Sequence, residues 1–337
     1  MQIEYEPLSL TLETPFRIAH GTSYTRENVL VRISDGEHEG YGEAAPVRQH
    51  HETQAEVLDY LAAVSLPDDP FLLEDILSGL PSGPRSARSA IDIALHDLVG
   101  KKLGIPLYRF FGLNPHRAPQ TSYTIGIGTP DEVQERARAV AGRFSILKIK
   151  LGPDTAASLE QVRAIRAVSD ARLVADANCA WSADQALEII PALADLGLEW
   201  IEQPLPEEDL AGMRRVRHAS PLPIFADEPV RAARDIPRLV GCADGVSIKV
   251  MKAGGLREAF RAIAVARAHD FQVLLSCMVE TSVGITAAAH LAPLVDWADL
   301  DGNLTVTNDP FVGVRVDRGR LVLPAGPGLG ISPRRSR

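Results

Sequence analysis

The stretch Ser145-Ile146-Leu147-Lys148-Ile149-Lys150 is a short apolar run that carries two lysines and ends in a charged side chain. Five similar runs follow it, at residues 173–176, 200–202, 223–227, 245–249 and 273–276. Helical patterns lie between the runs, and capping boxes are predicted at Thr129 and at Ser182. An alternation of short buried strands and helices predicts a parallel sheet that is covered on both faces. The number of repeats favours a closed barrel over an open sheet.

The N-terminal third of the chain has a different pattern. Extended segments come first, and a hairpin is predicted where residues 28–33 and 39–43 flank the turn Asp35-Gly36. A helical pattern follows at residues 89–98, and Gly104 marks the end of that helix. Strands followed by helices indicate an α+β module that precedes the barrel.

Composition and charge exclude several classes of protein. The chain has 337 residues, with 35 Lys and Arg against 44 Asp and Glu, a formal net charge of −9. This surplus argues against a protein that binds nucleic acid or an anionic membrane, because both need a basic surface. The sequence has no apolar run of the roughly 18 residues that a membrane span needs, and its acidic start is unlike a signal peptide. Three cysteines without CxxC spacing favour a reducing compartment, so we expect a cytoplasmic protein without nucleic-acid or membrane partners.

Five of the apolar runs end in a charged residue, and the intervals between these residues are regular. Lys150, Asp176, Glu202, Asp227 and Lys249 are separated by 26, 26, 25 and 22 residues, about one strand–helix unit each. The carboxyl ends of barrel strands lie on one face, so we expect the five side chains to converge on one barrel mouth. A single acid after a strand more often caps the next helix, but five charged residues in phase favour a shared site.

Three of these residues, Asp176, Glu202 and Asp227, are carboxylates on adjacent strands. Three anions held together destabilise one another unless a cation lies between them. Because the ligand set contains only oxygen atoms, we expect Mg²⁺, or Mn²⁺ in its place, rather than zinc. A solvated acidic rim is the alternative interpretation.

Lysines flank the three acids on both sides. Lys148 and Lys150 are two residues apart and point to the same side of their strand, and Lys249 lies on the strand after Asp227. A lysine on each side of a cation is placed to give and take a proton. A plain ion pair with Asp227 is the alternative for Lys249. We expect Lys252, three positions past the strand end, in a loop outside the site.

A further pair of acids, Asp299 and Asp301, stands where the eighth strand is expected to end. The two side chains face the same way because they are two positions apart. Such a pair beside a metal site suits a positively charged group of a substrate. On spacing alone, a turn before Gly302 explains the two acids nearly as well.

The motifs resemble those of the enolase superfamily, and in particular its muconate-lactonising-enzyme subgroup. The similarity extends over essentially the whole chain, through the segments 89–98, 147–150, 176–178, 201–204, 226–228, 248–255 and 284–290. It implies three parts: an α+β capping domain at residues 1–118, a (β/α)7β TIM-like barrel at residues 119–309, and a C-terminal segment at residues 310–337 that returns to the cap.

Within the subgroup, Asp299-Leu300-Asp301 resembles the Asp-x-Asp motif of dipeptide epimerases, which binds the free ammonium group of the substrate's N-terminal residue. In those enzymes the counterparts of Lys150 and Lys249 carry out a 1,1-proton transfer at the α-carbon of the C-terminal residue. The counterpart of Lys148 supports the substrate carboxylate. The resemblance thus implies catalytic roles for two lysines and a binding role for the third.

The resemblance also implies a substrate wall that contains Thr124, Cys277 and Met278. This chain departs from the family pattern at the cap loop. Ala-Glu epimerases carry there an arginine for the glutamate side chain, whereas this chain has Gly21, preceded by His20. The resemblance places these two residues among the substrate-binding residues. Arg17 and Arg26 flank the loop without matching that position. The departure speaks against Ala-Glu specificity and favours another side chain at the second residue.

The resemblance therefore implies an isomerase, a Mg²⁺-dependent epimerase of dipeptides that are L-Ala-type or related L,L-dipeptides. The reaction would pass through an enediolate, which this superfamily stabilises with Mg²⁺. Alternatives in the subgroup are an N-acylamino-acid racemase, an o-succinylbenzoate synthase and a muconate cycloisomerase, whose substrates lack a free ammonium group. A catalytically silent ligand-binding barrel is the alternative of another class. The sequence leaves open whether the protein is a homo-oligomer.

Overall fold

The structure is a computed structural model. It describes residues 1–19, 21–47 and 50–334. The chain begins with a three-stranded antiparallel sheet in the order β1 (Gln2–Ile18), β2 (Gly21–Ser34) and β3 (Glu39–Ala44). β2 and β3 form the predicted hairpin. Its turn is stabilised by Asp35 Oδ1, which accepts hydrogen bonds from two backbone amides, and by Gly36, whose φ of 93° a side chain would disfavour.

Four helices follow this sheet in the chain: α1 (Gln54–Ala63), α2 (Leu73–Gly79), α3 (Arg85–Leu103) and α4 (Leu107–Phe110). The longest helix, α3, lies directly against the sheet because glycines in β3 allow the two backbones to approach. A Cβ atom at Gly42 would lie 2.0 Å from Ala90 O. Most of α3 is buried, so this helix connects the sheet to the elements on its other side.

Eight parallel strands form the barrel: β4 (Tyr123–Ile125), β5 (Ile146–Lys150), β6 (Arg172–Asp176), β7 (Leu198–Glu202), β8 (Ile224–Ala226), β9 (Gly245–Lys249), β10 (Gln272–Ser276) and β11 (Trp297–Asp299). Each strand is hydrogen-bonded to the next one in chain order. A parallel bridge between Thr121 and Ala298 joins the last strand to the residues just before the first. Ser122 N also donates to Ala298 O at 3.0 Å. These contacts close the sheet and confirm the predicted barrel.

Helices connect most of the strands: α5 (Pro130–Ala139), α6 (Thr155–Arg166), α7 (Ala183–Asp195), α8 (Leu210–Ala219), α9 (Val250–Ala253), α10 (Leu256–Ala268) and α11 (Ser282–Ala289). The predicted capping boxes are present at Thr129 and Ser182. The connection from β8 to β9 departs from the repeat, because its described residues form two 3₁₀ turns, Ala233–Asp235 and Pro237–Leu239, and no α-helix. Pro237 lacks the N–H that a continuous helix would need there. Among the helices that the structure describes, none is both long enough and apolar enough to span a membrane.

The C-terminal residues form two short antiparallel pairs: β12 (Phe311–Val312) with β15 (Ser332–Pro333), and β13 (Arg315–Asp317) with β14 (Arg320–Val322). This segment contacts the helices of the cap. Leu107 N donates to Gly328 O at 2.9 Å, and Leu329 N donates to Asp97 Oδ1 at 2.7 Å. Residues 328 and 329 are therefore fixed to α3 and α4. The domain boundaries after residues 118 and 309 stay a prediction.

Candidate active site

Side chains from alternate strand positions fill the interior of the barrel in layers. Beneath the strand ends lies an apolar layer: Ile146, Val174, Trp200, Phe225 and Leu274. Because successive residues of a strand point to opposite faces, residues two and four positions further along also point inward. The strands thereby present charged side chains at their carboxyl ends: Lys148, Lys150, Asp176, Glu202, Lys249 and Asp299.

Two buried lysines face each other across the mouth of the barrel. Lys150 lies on β5 and Lys249 on β9, the second and sixth of the eight strands. Lys150 Nζ donates to Asp176 Oδ2 at 2.6 Å, and Lys249 Nζ donates to Asp227 Oδ2 at 2.8 Å. Burial lowers the pKa of Lys249, but attraction to Asp227 and Glu202 outweighs burial and raises that pKa above its ordinary value. The two lysines therefore approach one space from opposite sides.

Lys148 lies deeper in the barrel and is 1% exposed. Its Nζ is 2.6 Å from both Glu202 Oε2 and Asp299 Oδ2, and 3.6 Å from Asp176 Oδ2. Burial lowers the pKa of Lys148, but the three carboxylates outweigh it and raise that pKa well above its ordinary value. Lys148 is therefore a fixed ammonium group that joins its own strand to three others of the barrel.

A fourth lysine, Lys252, belongs to the same cluster, so its prediction as a loop residue outside the site was wrong. It lies in α9, and its Nζ donates to both the carbonyl oxygen and Oδ1 of Asp227. Burial lowers the pKa of Lys252, and attraction to Asp227 only partly offsets this effect. The error has a simple geometric reason. A helical turn begins at Val250, so the residue at position 252 points back to the strand end instead of continuing away from it.

Six buried carboxylates surround the four lysines: Asp176, Glu202, Asp227, Glu228, Asp299 and Asp301. With every group ionised, the acids exceed the lysines by two charges. Glu202 Oε1 and Asn178 Oδ1 are buried and have no hydrogen-bond partner among the described residues. Burial, together with repulsion from Asp227 and Asp176, raises the pKa of Glu228 to about 8. Two surplus negative charges and unpartnered buried oxygens fit a divalent cation with oxygen ligands.

The carboxylates do not form a ready metal site by themselves. Within residues 1–19, 21–47 and 50–334, no three acids, histidines or cysteines are grouped as a set that holds an ion. Lys150 and Lys249 instead take the Oδ2 atoms of Asp176 and Asp227. A cation at this position would compete with two ammonium groups for those oxygens.

Asp299 ends the last barrel strand and Asp301 follows it, and both are hydrogen-bonded to residues at the start of the first strand. Ser122 Oγ donates to Asp299 Oδ1, and Thr124 N donates to Asp301 Oδ2, both at 2.6 Å. Burial raises the pKa of Asp299, but attraction to Lys148 outweighs it and lowers that pKa to about 2. Burial and the charge of Asp299 raise the pKa of Asp301 to about 7. A cationic group nearby would therefore stabilise the ionised form of Asp301 more than that of Asp299.

A cavity of about 810 Å³ lies between the barrel mouth and the cap. Eight of the predicted site residues line it: Gly21, Thr124, Lys150, Lys249, Cys277, Met278, Asp299 and Asp301. The other four predicted residues with a described position are buried around its inner end: Lys148, Asp176, Glu202 and Asp227. His20 lies outside the described residues. The structure thus brings the catalytic, substrate-binding and metal-binding candidates to one end of one cavity.

Several groups of this site were missed from the sequence. Asn178, Cys179 and Gln203 have φ angles of 45°, 63° and 36° in the loops directly after β6 and β7. Such left-handed conformations of residues other than glycine are concentrated at functional sites, but no sequence pattern marks them. Gln203 Oε1 accepts a hydrogen bond from Asp227 N at 2.8 Å and so positions the next strand. Glu228 could have been predicted as a site residue from the sequence. It follows Asp227 beyond the end of β8, where side chains no longer alternate between the two faces of the sheet.

Two family models match most of the chain. The model described as "Mandelate racemase / muconate lactonizing enzyme, N-terminal domain" matches residues 5–112. The model described as "Enolase C-terminal domain-like" matches residues 132–337. The gap between the two matches, residues 113–131, contains β4, the first strand of the barrel.

Individual proteins are similar over nearly the whole length. The chain is 43% identical to the L-Ala-D/L-Glu epimerase of Bacteroides thetaiotaomicron, over 98% of this chain and 88% of that protein. It is similar to a crystal structure of dipeptide epimerase from Enterococcus faecalis V583 complexed with Mg and the dipeptide L-Leu-L-Tyr, with a TM-score of 0.92, 35% identity, and coverage of 98% and 99%. It is also similar to the N-succinyl Arg/Lys racemase from Bacillus cereus ATCC 14579, with a TM-score of 0.93, 27% identity, and coverage of 98% and 95%. The chain belongs to the mandelate racemase/muconate lactonizing enzyme family and carries the enolase-like C-terminal domain of that family.

Proposed function

We propose that this chain is a dipeptide epimerase, an isomerase that uses Mg²⁺, or Mn²⁺ in its place, and inverts the α-carbon of the C-terminal residue by a 1,1-proton transfer. The observation that carries the proposal is the opposed pair Lys150 and Lys249 beside the acids Asp299 and Asp301 in one cavity. Relatives named as dipeptide epimerases, which match nearly the whole chain, support it. A cytoplasmic location stays a prediction, and a homo-oligomer is one possible state of the protein.

Asp176, Glu202 and Asp227 would hold the cation, because they are buried carboxylates at the ends of neighbouring strands within a cluster that has surplus negative charge. When bound, the cation would neutralise the substrate carboxylate and the negative charge that develops as the α-proton leaves. The similar structure from Enterococcus faecalis was obtained with Mg.

The lysines would hold and move the proton. A substrate α-carbon placed between Lys150 and Lys249 has one lysine at each face, so one can remove the proton while the other delivers a proton to the opposite face. Lys148 has a different part. Its three carboxylate partners keep its ammonium group charged, which suits electrostatic support of a substrate carboxylate better than proton exchange.

Asp301, with Asp299, would bind the free ammonium group of the N-terminal residue. The substrates of an N-acylamino-acid racemase, an o-succinylbenzoate synthase or a muconate cycloisomerase lack this group, and Asp301 would then face them as a buried acid without a partner charge. A silent ligand-binding barrel would give two opposed lysines no role. The dipeptide is therefore the substrate class that best matches the charges in the cavity.

The side-chain preference depends on the cap wall of the cavity. Gly21 replaces the arginine of Ala-Glu epimerases at the expected position, but Arg26 of β2 also lines this cavity, and its Nη1 donates to Ser23 Oγ at 2.6 Å. A guanidinium group is therefore present on this wall at a shifted position. We infer that dipeptides with an acidic C-terminal residue belong among the substrates to be tested, together with those with an apolar one.

A dipeptide library incubated with the protein and Mg²⁺ in D₂O tests the proposed function. We expect one deuteron to enter at the α-carbon of the C-terminal residue, together with epimerisation, and mass spectrometry measures both. If no dipeptide exchanges its α-proton, the assignment is wrong. Comparing Arg26→Gln with the wild type for acidic and apolar dipeptides shows which side chains contact that wall.

Asp301→Asn separates the dipeptide assignment from its alternatives. We expect this variant to lose at least tenfold in kcat/KM for dipeptides, because a neutral amide replaces the partner of a buried ammonium group. The exposed Asp317→Asn is the matched control and keeps wild-type kinetics. Activity on N-acylated amino acids that survives Asp301→Asn would instead identify an N-acylamino-acid racemase.

A further inference from the structure

The loop from β10 to α11, residues 277–281, forms one wall of the cavity. Cys277, Met278 and Val279 line the cavity directly. Two buried glutamates hold this loop from its other side: Glu43 of the cap strand β3, and Glu280 of the loop itself. Neither glutamate lines the cavity or has a part in the proposed proton transfer.

Glu43 fixes the end of the loop where α11 begins. Its carboxylate accepts hydrogen bonds from Thr281 N, Thr281 Oγ1 and Gly284 N, at 2.6 to 3.1 Å, and from the side-chain amide of Asn28 at 2.8 Å. Asn28 in turn donates to Val279 O at 3.1 Å. The cap is therefore hydrogen-bonded to the wall of the cavity through the carboxylate of Glu43 and the side-chain amide of Asn28.

Glu280 fixes the part of the loop that faces the cavity. Its Oε1 accepts a hydrogen bond from Met278 N at 2.7 Å, and the side chain is 2% exposed. Its Oε2 has no hydrogen-bond partner within the described part of the chain. A Cβ atom at Gly284 would lie 2.2 Å from this oxygen, so the glycine makes the room that Glu280 occupies. The backbone at Met278 and at Gly284 thus accommodates this carboxyl group, the first by a hydrogen bond and the second by the lack of a side chain.

We propose that Glu280 is a positioning residue that holds the backbone of Cys277 and Met278 in the shape that the substrate contacts, while Glu43 holds the far end of the same loop. This inference rests on the proposed function only in naming the substrate as a dipeptide. The hydrogen bond from Met278 N fixes the orientation of that peptide group, and with it the carbonyl of the preceding residue.

The charged groups that face Glu280 are Glu43 and Lys249. Burial, followed by repulsion from Glu43, raises the pKa of Glu280 to about 8. At neutral pH Glu280 is therefore mostly the neutral acid, which keeps its hydrogen bond from Met278 without placing a second buried carboxylate beside Glu43. As the pH rises through 8 the group ionises. Met278 N still donates to it, but a second buried negative charge then lies beside Glu43, and the repulsion between the two carboxylates loosens the loop.

Three proteins test the inference: the wild type, Glu280→Gln and Glu280→Ala. At pH 7 we expect Glu280→Gln to keep KM within about twofold of the wild type, because the amide oxygen accepts the same hydrogen bond. Glu280→Ala raises KM for the dipeptide about tenfold and changes kcat by less than twofold. Between pH 7 and 9 the KM of the wild type rises, and the KM of Glu280→Gln rises less. A Glu280→Gln variant as impaired as Glu280→Ala, or an unchanged KM in Glu280→Ala, would overturn the proposal.

Hydrogen–deuterium exchange of residues 277–284 gives a second readout that needs no substrate. We expect faster uptake in Glu280→Ala, unchanged uptake in Glu280→Gln, and faster uptake in the wild type at pH 9 than at pH 7 after correction for the intrinsic rate. Glu258→Gln and Glu258→Ala are matched controls, since Glu258 accepts a backbone amide hydrogen bond outside the cavity. If the wild type epimerises no dipeptide, the proposed function fails, while the exchange data still decide whether Glu280 orders the loop.

Discussion

Lys249 and Lys252 divide the two oxygens of Asp227 between them. Lys252 donates to Oδ1 and to the main-chain carbonyl, so only Oδ2 is left for Lys249 or for a cation. A carboxylate that is fixed through one oxygen presents the other in a defined direction, as a metal ligand must. At the scale of single residues, the ion pairs of the candidate site thus fix the directions of the carboxylate oxygens. The apolar contacts beneath them contribute less to this orientation.

Removing either opposed lysine should separate proton exchange at one face of the α-carbon from complete epimerisation. We expect Lys150→Ala and Lys249→Ala each to lose epimerisation by about 10²- to 10⁴-fold, the usual contribution of a general acid or base. Each variant keeps α-proton exchange only for the stereoisomer whose proton faces the remaining lysine. Incubating the two stereoisomers separately in D₂O and following them by NMR checks this. Exchange of both stereoisomers by both variants would contradict the two-lysine mechanism, and Lys102→Ala on the cap is the control.

The pKa of Asp301 predicts how binding depends on pH. This pKa is raised to about 7, so Asp301 is mostly neutral below pH 7 and ionised above it. Only the ionised form pairs with an ammonium group, so we expect kcat/KM to rise with pH through about 7. The rise ends where the substrate ammonium group itself loses its proton, at about pH 8. A pH profile of kcat/KM tests this, and Asp301→Asn should lack the step near pH 7.

At the scale of elements, helix α3 of the cap also caps a helix of the barrel. α10 begins after Gly255, which has no side chain to bind the free amides at the helix start. Asp92 of α3 accepts these bonds instead, from Leu256 N at 2.7 Å and Arg257 N at 3.3 Å. Gly255 is required because a Cβ atom there would lie 2.3 Å from Asp92 Cγ. The cap thereby fixes the segment that follows Lys249.

We expect Asp92→Ala to lower the free energy of unfolding by about 1–3 kcal/mol, the usual cost of removing a helix cap and leaving buried amides unpaired. Denaturation in urea measures this change. Asp75→Ala, at an exposed position of α2, is the control and should change stability by less than about 0.5 kcal/mol. Equal stability of the two variants would show that the capping contact between the domains contributes little.

At the scale of the whole molecule, the net charge of the surface and the buried charge at the barrel mouth affect the stability of the folded chain differently. The chain carries nine surplus negative charges, and two of them are accounted for by the buried cluster at the barrel mouth if all its groups ionise. Surface charges are screened by water and salt, whereas buried ones are not. The cluster therefore destabilises the folded chain unless protons or a cation offset it.

A divalent cation should consequently stabilise the whole protein. Binding to the folded state alone adds about 2.7 kcal/mol at a concentration one hundred times Kd. We expect Mg²⁺ to raise the midpoint of thermal unfolding and EDTA to reverse the effect, with KCl of equal ionic strength as the control. Asp176→Asn should abolish the response to Mg²⁺. A midpoint that does not respond to Mg²⁺ or Mn²⁺ would argue against the metal site.

Much of the architecture could be predicted from local patterns. The runs at residues 145–150 and 245–249 end at the residues where β5 and β9 end, because alternation and burial are local properties of a strand. The capping boxes at Thr129 and Ser182 are equally local, since the side chain binds an amide three residues away. Even the convergence of Lys150 and Asp176 follows from the regular repeat, because strands of equal spacing end on one face.

The groups that sequence reasoning missed depend on contacts between distant residues. Glu43 meets Thr281 and Asp92 meets Leu256 across the boundary between cap and barrel, and no spacing rule relates such positions. Lys252 was misplaced because its direction depends on where a strand turns into a helix.

By itself, the sequence determined the barrel and the order of its charged strand ends, because both follow from a periodic pattern within the chain, and its motifs indicated the class of chemistry through their resemblance to a known family. Only the tertiary structure decided which lysine pairs with which acid, that Asp301 rather than Asp299 carries the raised pKa, and that two buried glutamates are hydrogen-bonded to the loop that lines the cavity. These properties depend on burial and on distances between charges, which exist only once the cap lies against the barrel.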